Sequence, residues 1–192
     1  MVKVAVFVSG GGTNLQAILD AQGTVIQNAQ VALVIASRED AYALERAKNH
    51  GVPGVVLRDE AEIQRTLEEY GIGLIVLAGY MRILSAEFTA RWDKKILNVH
   101  PALIPSFCGK GMYGLRVHEA ALAKGVKVTG ATVHFVNEAP DGGEIIYQKA
   151  VDIEENDTPE TLQRRVMEQA EWILLPRAIE KVAKEMLVGL TC

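Results

Sequence analysis

The chain has 192 residues, 49% of them hydrophobic, and a formal net charge of -4. That length supports one sizeable core and is short for two, and the acidic balance argues against a nucleic-acid backbone or an anionic membrane as main partner, because both reward a clustered basic face. The two cysteines, Cys108 and Cys192, lie too far apart for a disulfide framework or a zinc-ligand spacing and fit a reducing, cytoplasmic setting.

Met1 to Val8 is apolar but only a few residues long and runs into Ser9-Gly10-Gly11-Gly12. It reads as a buried strand, neither signal peptide nor spanning helix. Short apolar runs recur at Val31 to Ala36, Gly54 to Leu57, Leu74 to Ala78 and Ile96 to Val99. Segments with helical spacing separate most of them, over Asn14 to Ala21, Ala41 to Asn49 and Glu60 to Tyr70. Alternation of this kind predicts parallel strands with crossover helices. The second helix should stop at Gly51 and Pro53 and the third at Gly71. Leu74 to Ala78 has no polar alternation, as expected of a strand covered on both faces.

The pattern changes beyond a loop at Pro101 to Tyr113. After a short helix over Leu115 to Lys124, the runs Lys127 to Phe135 and Glu144 to Ile153 are joined directly by a turn holding Asp141-Gly142-Gly143, so they should pair antiparallel. A terminal helix opens at Thr158-Pro159-Glu160, a capping hydroxyl before proline, and should bury Leu162, Val166, Ala170 and Leu174. Pro176 should kink or divide it. The fold class expected is α/β, a single-domain, Rossmann-like, open and mostly parallel sheet with flanking helices and an antiparallel C-terminal strand pair, over residues 1 to 192.

Four stretches carry chemistry. Ser9 to Asn14 joins the first strand to the first helix, where unpaired N-H groups and the helix dipole attract a phosphate; as a plain turn it would be capped by Thr13 or Asn14. It lacks the Gly-Lys-Ser/Thr of a nucleotide triphosphatase loop, and Leu15 stands where a dinucleotide fingerprint needs its third glycine. Gly79 to Leu84 follows the fourth strand, and a flat aromatic ligand could lie against Met81, Ile83 and Leu84, with Arg82 solvated. Asn98-Val99-His100-Pro101 ends the fifth strand with two polar side chains on one side of it. His134 and Asp141 add an imidazole and a carboxylate. An amide, two imidazoles and a carboxylate are what stabilising a transient oxyanion and moving one proton require. His100, His118, His134 and Asp141 would also suit a metal, but no pair has the i, i+4 spacing of a helical metal site. Taken alone, His118 is a partly buried packing residue of its helix, and Glu171, beside Trp172, is by default a solvated charge.

Ser9 to Gln16, Leu77 to Ser85, Asn98 to Pro105, Gly130 to Val136 and Asp141 to Gly143 stand in the order and spacing of the folate-dependent formyltransferase family, and the opening Ser-Gly-Gly-Gly-Thr-Asn-Leu-Gln resembles its phosphoribosylglycinamide formyltransferase branch. The resemblance covers roughly residues 3 to 180. It implies transfer of a formyl group from 10-formyltetrahydrofolate to the amine of glycinamide ribonucleotide in de novo purine biosynthesis, without metal, in a cytoplasmic monomer or homodimer with no nucleic-acid or membrane partner. By the same similarity Asn98, His100 and Asp141 are catalytic, and Gly11, Gly12, Thr13 and Asn14 take the phosphate, with Glu168 or Glu171 near the ribose and glycinamide. Met81, Arg82, Ile83, Leu84 and the turn Asn137 to Asp141 frame the pterin, with His134 and His118 in support.

The ribonucleotide half would span about 1 to 100 and the folate and catalytic half about 77 to 185. Against the family pattern the loop 106 to 114 is longer, Arg116 stands where histidine is frequent, Pro140 precedes Asp141, and 58 to 71 is shortened. The alternatives are a related formyltransferase with another amine acceptor, a deformylase using water, and an NADP-dependent reductase using Arg38 at the second strand's end.

Overall fold

The computed structural model describes residues 1–189, so Cys192 lies outside the described residues. Its strands are β1 (Val2–Val8), β2 (Ala29–Ala36), β3 (Gly54–Val56), β4 (Leu74–Leu77), β5 (Ile96–His100), β6 (Val128–Phe135) and β7 (Ile145–Asp152). They form one sheet in the order β3-β2-β1-β4-β5-β6-β7. The β1, β2, β3, β4 and β5 pairings are parallel, whereas β5–β6 and β6–β7 are antiparallel. The α/β class and the antiparallel C-terminal pair expected from the sequence are therefore both present.

Alternation along β1 sorts the core into two layers. Val4, Val6 and Val8 face one side with Leu97 and Val99, against Leu15 and Ile18 of helix α1 (Thr13–Asp20), Ala43 and Ala47 of α2 (Ala43–Asn49), and the C-terminal helices. Ala5 and Phe7 face the other with Ile75, Leu77 and Ile96, against Ile63 and Leu67 of α3 (Glu60–Tyr70) and Phe88 and Trp92 of α4 (Ala86–Arg91). α3 begins at Asp59, whose side chain accepts from Glu62 N-H, and ends at a left-handed Gly71, matching the predicted bounds. The short α4, capped by Ser85 accepting from Phe88 N-H, is not among the predicted helices.

The helix α5 (Leu115–Lys124) has the expected bounds, and α6 (Pro159–Val166) opens on a capping box of Thr158 and Thr161. One reading needs correction. Pro176 sits inside α7 (Trp172–Leu187) without dividing it; the irregularity lies upstream, in a π-helical turn at Met167–Glu171. Widening the turn there adds one residue to the inward arc, so Ala170 and Glu171 are both buried although they are adjacent in sequence. Leu162, Val166, Ala170 and Leu174 are all buried, as the periodicity requires. Among the described residues no helix is long and apolar enough to cross a membrane.

Candidate active site

Because β1, β4 and β5 run parallel, their carboxyl ends open at one edge of the sheet. Gly10–Gly12 leads from the first of these ends into α1. Gly12 is left-handed at φ 73°, and a Cβ on it would lie 2.6 Å from the Ala43 Cβ, so only glycine fits. The Gly10 carbonyl accepts from Ala43 N-H at 3.1 Å, Gly11 from Arg46 Nε at 2.7 Å and Gly12 from Gln16 N-H at 2.9 Å. With the carbonyls drawn inward, the N-H groups that open α1 are left for an external acceptor. Neither Thr13 nor Asn14 caps the helix, contrary to the plain-turn reading: the N-cap is Gly12, with no side-chain cap. Thr13 Oγ1 faces Met167 Sδ, and Asn14 Nδ2 donates to Glu171 Oε2 at 2.9 Å.

That bond overturns the reading of Glu171 as a solvated charge. Glu171 is 6% exposed, and burial, opposed by the Asn14 hydrogen bond, pushes its carboxyl up to about 7. Asn14 Oδ1 and Trp172 Nε1 are buried without a hydrogen-bond partner among the described residues. Glu168 is exposed and accepts from Arg164 Nε at 2.8 Å, so of the two acids it is Glu171 that reaches the glycine turn.

The second cluster is built on β5 and β6. Asn98 pairs with His134 and His100 with Thr132, and alternation puts all four on the face shared with Ile96. A register shift at Val133/His134 in the pairing with β7 marks a bulge beside this site. His134 Nδ1 donates to the Phe135 carbonyl at 2.8 Å, which leaves Nε2 of the neutral ring to accept from Asn98 Nδ2 at 3.2 Å. His100 Nε2 donates to the Phe107 carbonyl at 2.8 Å, turning Nδ1 toward Asp141 Oδ2 at 3.6 Å.

Asp141 arrives from the turn between β6 and β7. Its backbone is left-handed at φ 55°, a conformation that aspartate tolerates better than most residues. A Cβ on Gly143 would lie 1.7 Å from the Phe135 carbonyl oxygen and one on Gly142 would lie 2.7 Å from the Ala139 Cβ, so both glycines are needed to fold the turn back over the sheet. Asp141 Oδ1 stands 3.6 Å from His134 Nε2, and Oδ2 accepts from Gly109 N-H at 2.9 Å. Burial alone would raise its carboxyl. The Gly109 N-H and the neighbouring His100 oppose burial, and the carboxyl is held below the usual carboxylate value.

A cleft lies between the β4 turn and the 136–141 turn, lined by Leu77, Arg82, Ile83, Leu84, Asn98, His134, Val136 and Asn137 to Asp141. The structure thus gathers Asn98, His134 and Asp141 at one opening. His100, 3% exposed, lies 3.6 Å from Asp141 and is not itself part of the lining. Met81 is exposed and also outside the lining; its N-H donates to Ser9 Oγ at 2.8 Å. His118 is fully buried, not partly as its helical position suggests. Neither of its ring nitrogens has a partner among the described residues, and burial together with the charge of His100 lowers it to about 4.

Three further groups serve the site without a motif to announce them. The Phe107 carbonyl fixes His100, the Gly109 N-H fixes Asp141, and Thr132 Oγ1 donates to the Ala102 carbonyl at 2.7 Å while accepting from Ile104 N-H at 3.1 Å. Thr132 stands opposite His100 and two residues before His134, so strand periodicity alone could have placed it on this face.

The formyl transferase family profile matches residues 2–179. The chain is 40% identical over 177 residues to a chloroplastic phosphoribosylglycinamide formyltransferase of Arabidopsis thaliana, covering 87% of this chain and 61% of that one. It is 42% identical to a trifunctional purine biosynthetic protein of Gallus gallus over 95% of this chain but only 18% of the relative. It therefore spans less than two thirds of the length of these relatives. A solved phosphoribosylglycinamide formyltransferase from Anaplasma phagocytophilum superposes with a TM-score of 0.88 at 34% identity, covering 96% of this chain and 88% of its own. A family match from residue 2 to 179 and a solved relative aligned over most of both chains place this chain in the formyl transferase family, among its phosphoribosylglycinamide formyltransferases.

Proposed function

We propose that the chain transfers the formyl group of 10-formyltetrahydrofolate to the amine of glycinamide ribonucleotide, giving formylglycinamide ribonucleotide. The observation that carries this reading is the meeting of Asn98, His134 and Asp141 at one cleft, with His100 3.6 Å from Asp141 and the glycine turn at the same sheet edge. The ribonucleotide half would run over about 1 to 100 and the folate and catalytic half over about 77 to 185. Leu77, Ile83, Leu84 and Val136 give the cleft the apolar walls that a flat heteroaromatic ring needs, and the 137–141 backbone can read its edge. The folate supplies an activated formyl carbon.

The chain's own groups do the rest. One hydrogen of the Asn98 amide is held by His134; the other is free for the formyl oxygen as its carbon becomes tetrahedral. His100 offers Nδ1, because Nε2 is committed to Phe107. At 3.6 Å from Asp141, Nδ1 is too far for a direct hydrogen bond to the carboxylate, which leaves it as a donor for the same oxygen. Asp141, held ionised by its surroundings, accepts the proton of the attacking amine, directly or through water, and returns it to the departing nitrogen. At the other end of the ribonucleotide the Gly11–Asn14 backbone would hold the phosphate, with Glu171 beneath it near the ribose and glycinamide. Incubation of the purified protein with both substrates, followed by mass detection of formylated glycinamide ribonucleotide, tests the reading. Free formate without formylated amine would make the chain a deformylase.

A further inference from the structure

A row of hydrogen bonds crosses the carboxyl edge of four neighbouring strands, away from the reacting groups. Arg58, past the end of β3, donates from Nε to the Ser37 carbonyl beyond β2 at 2.8 Å. The Ser37 hydroxyl meets the Ser9 hydroxyl beyond β1 at 2.6 Å, and Ser9 Oγ accepts the N-H of Met81 beyond β4 at 2.8 Å. Both serines are 5% exposed. Since β1 lies between β2 and β4, Ser9 is the joint of this row.

Its position in the sequence gives the joint two neighbours. Ser9 immediately precedes the Gly10–Gly12 turn, and Met81 immediately precedes Arg82, Ile83 and Leu84 of the cleft wall. We infer that Ser9 is a positioning residue that fixes the 79–84 turn from the glycine turn, so that the two substrate sites share one mechanical link. Without the Ser9 hydroxyl the partly buried Met81 N-H loses its acceptor, and nothing else at that turn replaces it among the contacts of the described residues. Gly79 opens the turn in a left-handed conformation at φ 72°. A link of this kind is reciprocal, so a ligand that orders the glycine turn also tightens the folate wall.

The inference rests on the proposed function, and the test keeps the two apart. Ser9→Ala is compared with the parent in steady-state KM for each substrate and in amide hydrogen exchange of the 79–84 segment without ligand. The expected result is a rise of about three- to tenfold in the KM for 10-formyltetrahydrofolate, from loss of one hydrogen bond, with little change in kcat and faster exchange at 79–84. Ser37→Ala, which keeps the Ser9–Met81 bond and removes only its support, should move the same two readouts by less, and it serves if Ser9→Ala misfolds. An unchanged folate KM, a rise confined to the ribonucleotide KM, or unchanged exchange at 79–84 overturns the link. If the parent transfers no formyl group, the functional reading fails alone, and the exchange comparison still decides for or against the Ser9 joint.

Discussion

The turn after β1 and the cluster on β5 and β6 sit at the same edge of one sheet and solve different problems by different means. At Gly10–Asn14 the working atoms are backbone N-H groups, and the side chains that matter brace the turn from α2. At Asn98, His100, His134 and Asp141 the working atoms are side-chain nitrogens and oxygens: backbone groups of Phe107, Gly109 and Phe135 orient His100, Asp141 and His134, and the His134 ring in turn orients Asn98. Holding an anion needs a shape, which glycines can make locally. Moving a proton needs protonation states set by neighbours, and these arrive from distant segments. The cost shows in the backbone: Asp141 at φ 55° and Phe107 at φ 50° are both left-handed non-glycine residues, and both belong to the second cluster.

The sharpest way to break the comparison is to remove a donor from the cluster. An oriented oxyanion donor is typically worth about 3 to 4 kcal/mol, so Asn98→Ala or His100→Ala should lower kcat by roughly two to three orders of magnitude, leaving the ribonucleotide KM nearly unchanged. Near-normal turnover in both would remove the oxyanion role. The pH profile carries the sign. Asp141 is held below the usual carboxylate value of 3.8, so it remains ionised until the pH falls through that lowered pKa, and activity is then lost on the acid side. The same group contributes stability above its unfolded value and loses it as pH falls through the folded one. Asp141→Asn should erase this limb of the profile, and identical profiles for parent and variant would count against the coupling.

Much of the fold was legible, and the reason differs by element. Leu74 to Leu77 is apolar throughout because both faces of β4 are covered, and α3 announces itself with Asp59 and Gly71. The helix α4 was not read because Ala86–Arg91 is too short to show a period, though Ser85 capping it is a recognisable signal. At the site, Asn98, His100 and Asp141 stand out by residue type. What fixes them does not: the Phe107 carbonyl and Gly109 N-H belong to a loop whose path no side-chain pattern reports. Glu171 shows the same limit, since its burial follows from a π-helical turn that shifts the inward arc by one residue, and a regular helical wheel puts it in water.

Glu171 offers the next test, on stability. Its folded pKa of about 7 lies above the usual glutamate value of 4.5, so the folded protein holds a proton there that the unfolded chain releases. Stability from this group is full below the unfolded value and declines as pH rises through the folded one. Glu171→Gln keeps an acceptor for the Asn14 amide and cannot ionise. Relative to the parent it should gain up to about 3 kcal/mol above pH 8, since each pKa unit is worth about 1.4 kcal/mol, and gain little at pH 4. Denaturant unfolding of the unliganded protein at both pH values measures this, and a difference independent of pH would show that Glu171 does not titrate in this range.

The smallest effect expected is on the phosphate side, where the working groups are backbone and only their brace can be altered. Arg46 Nε donates to the Gly11 carbonyl at 2.7 Å, its NH1 to Gln16 Oε1 at 3.0 Å, and its guanidinium lies over the Tyr42 ring at 5.1 Å. Arg46→Ala should free the Gly11 carbonyl and remove a positive charge beside the proposed phosphate site, raising the ribonucleotide KM about tenfold, equivalent to about 1.4 kcal/mol, with kcat and the folate KM little changed. Lysine keeps the charge and loses the planar fork that holds Gly11 and Gln16 together, so Arg46→Lys separates charge from bracing. The unphosphorylated riboside supplies the control: if Arg46 acts through the phosphate, the variants use it as well as the parent does. Equal losses on riboside and ribonucleotide would instead make Arg46 a support for the fold of α1 and α2, and the division between a backbone site and a side-chain site at this edge of the sheet would lose its clearest member.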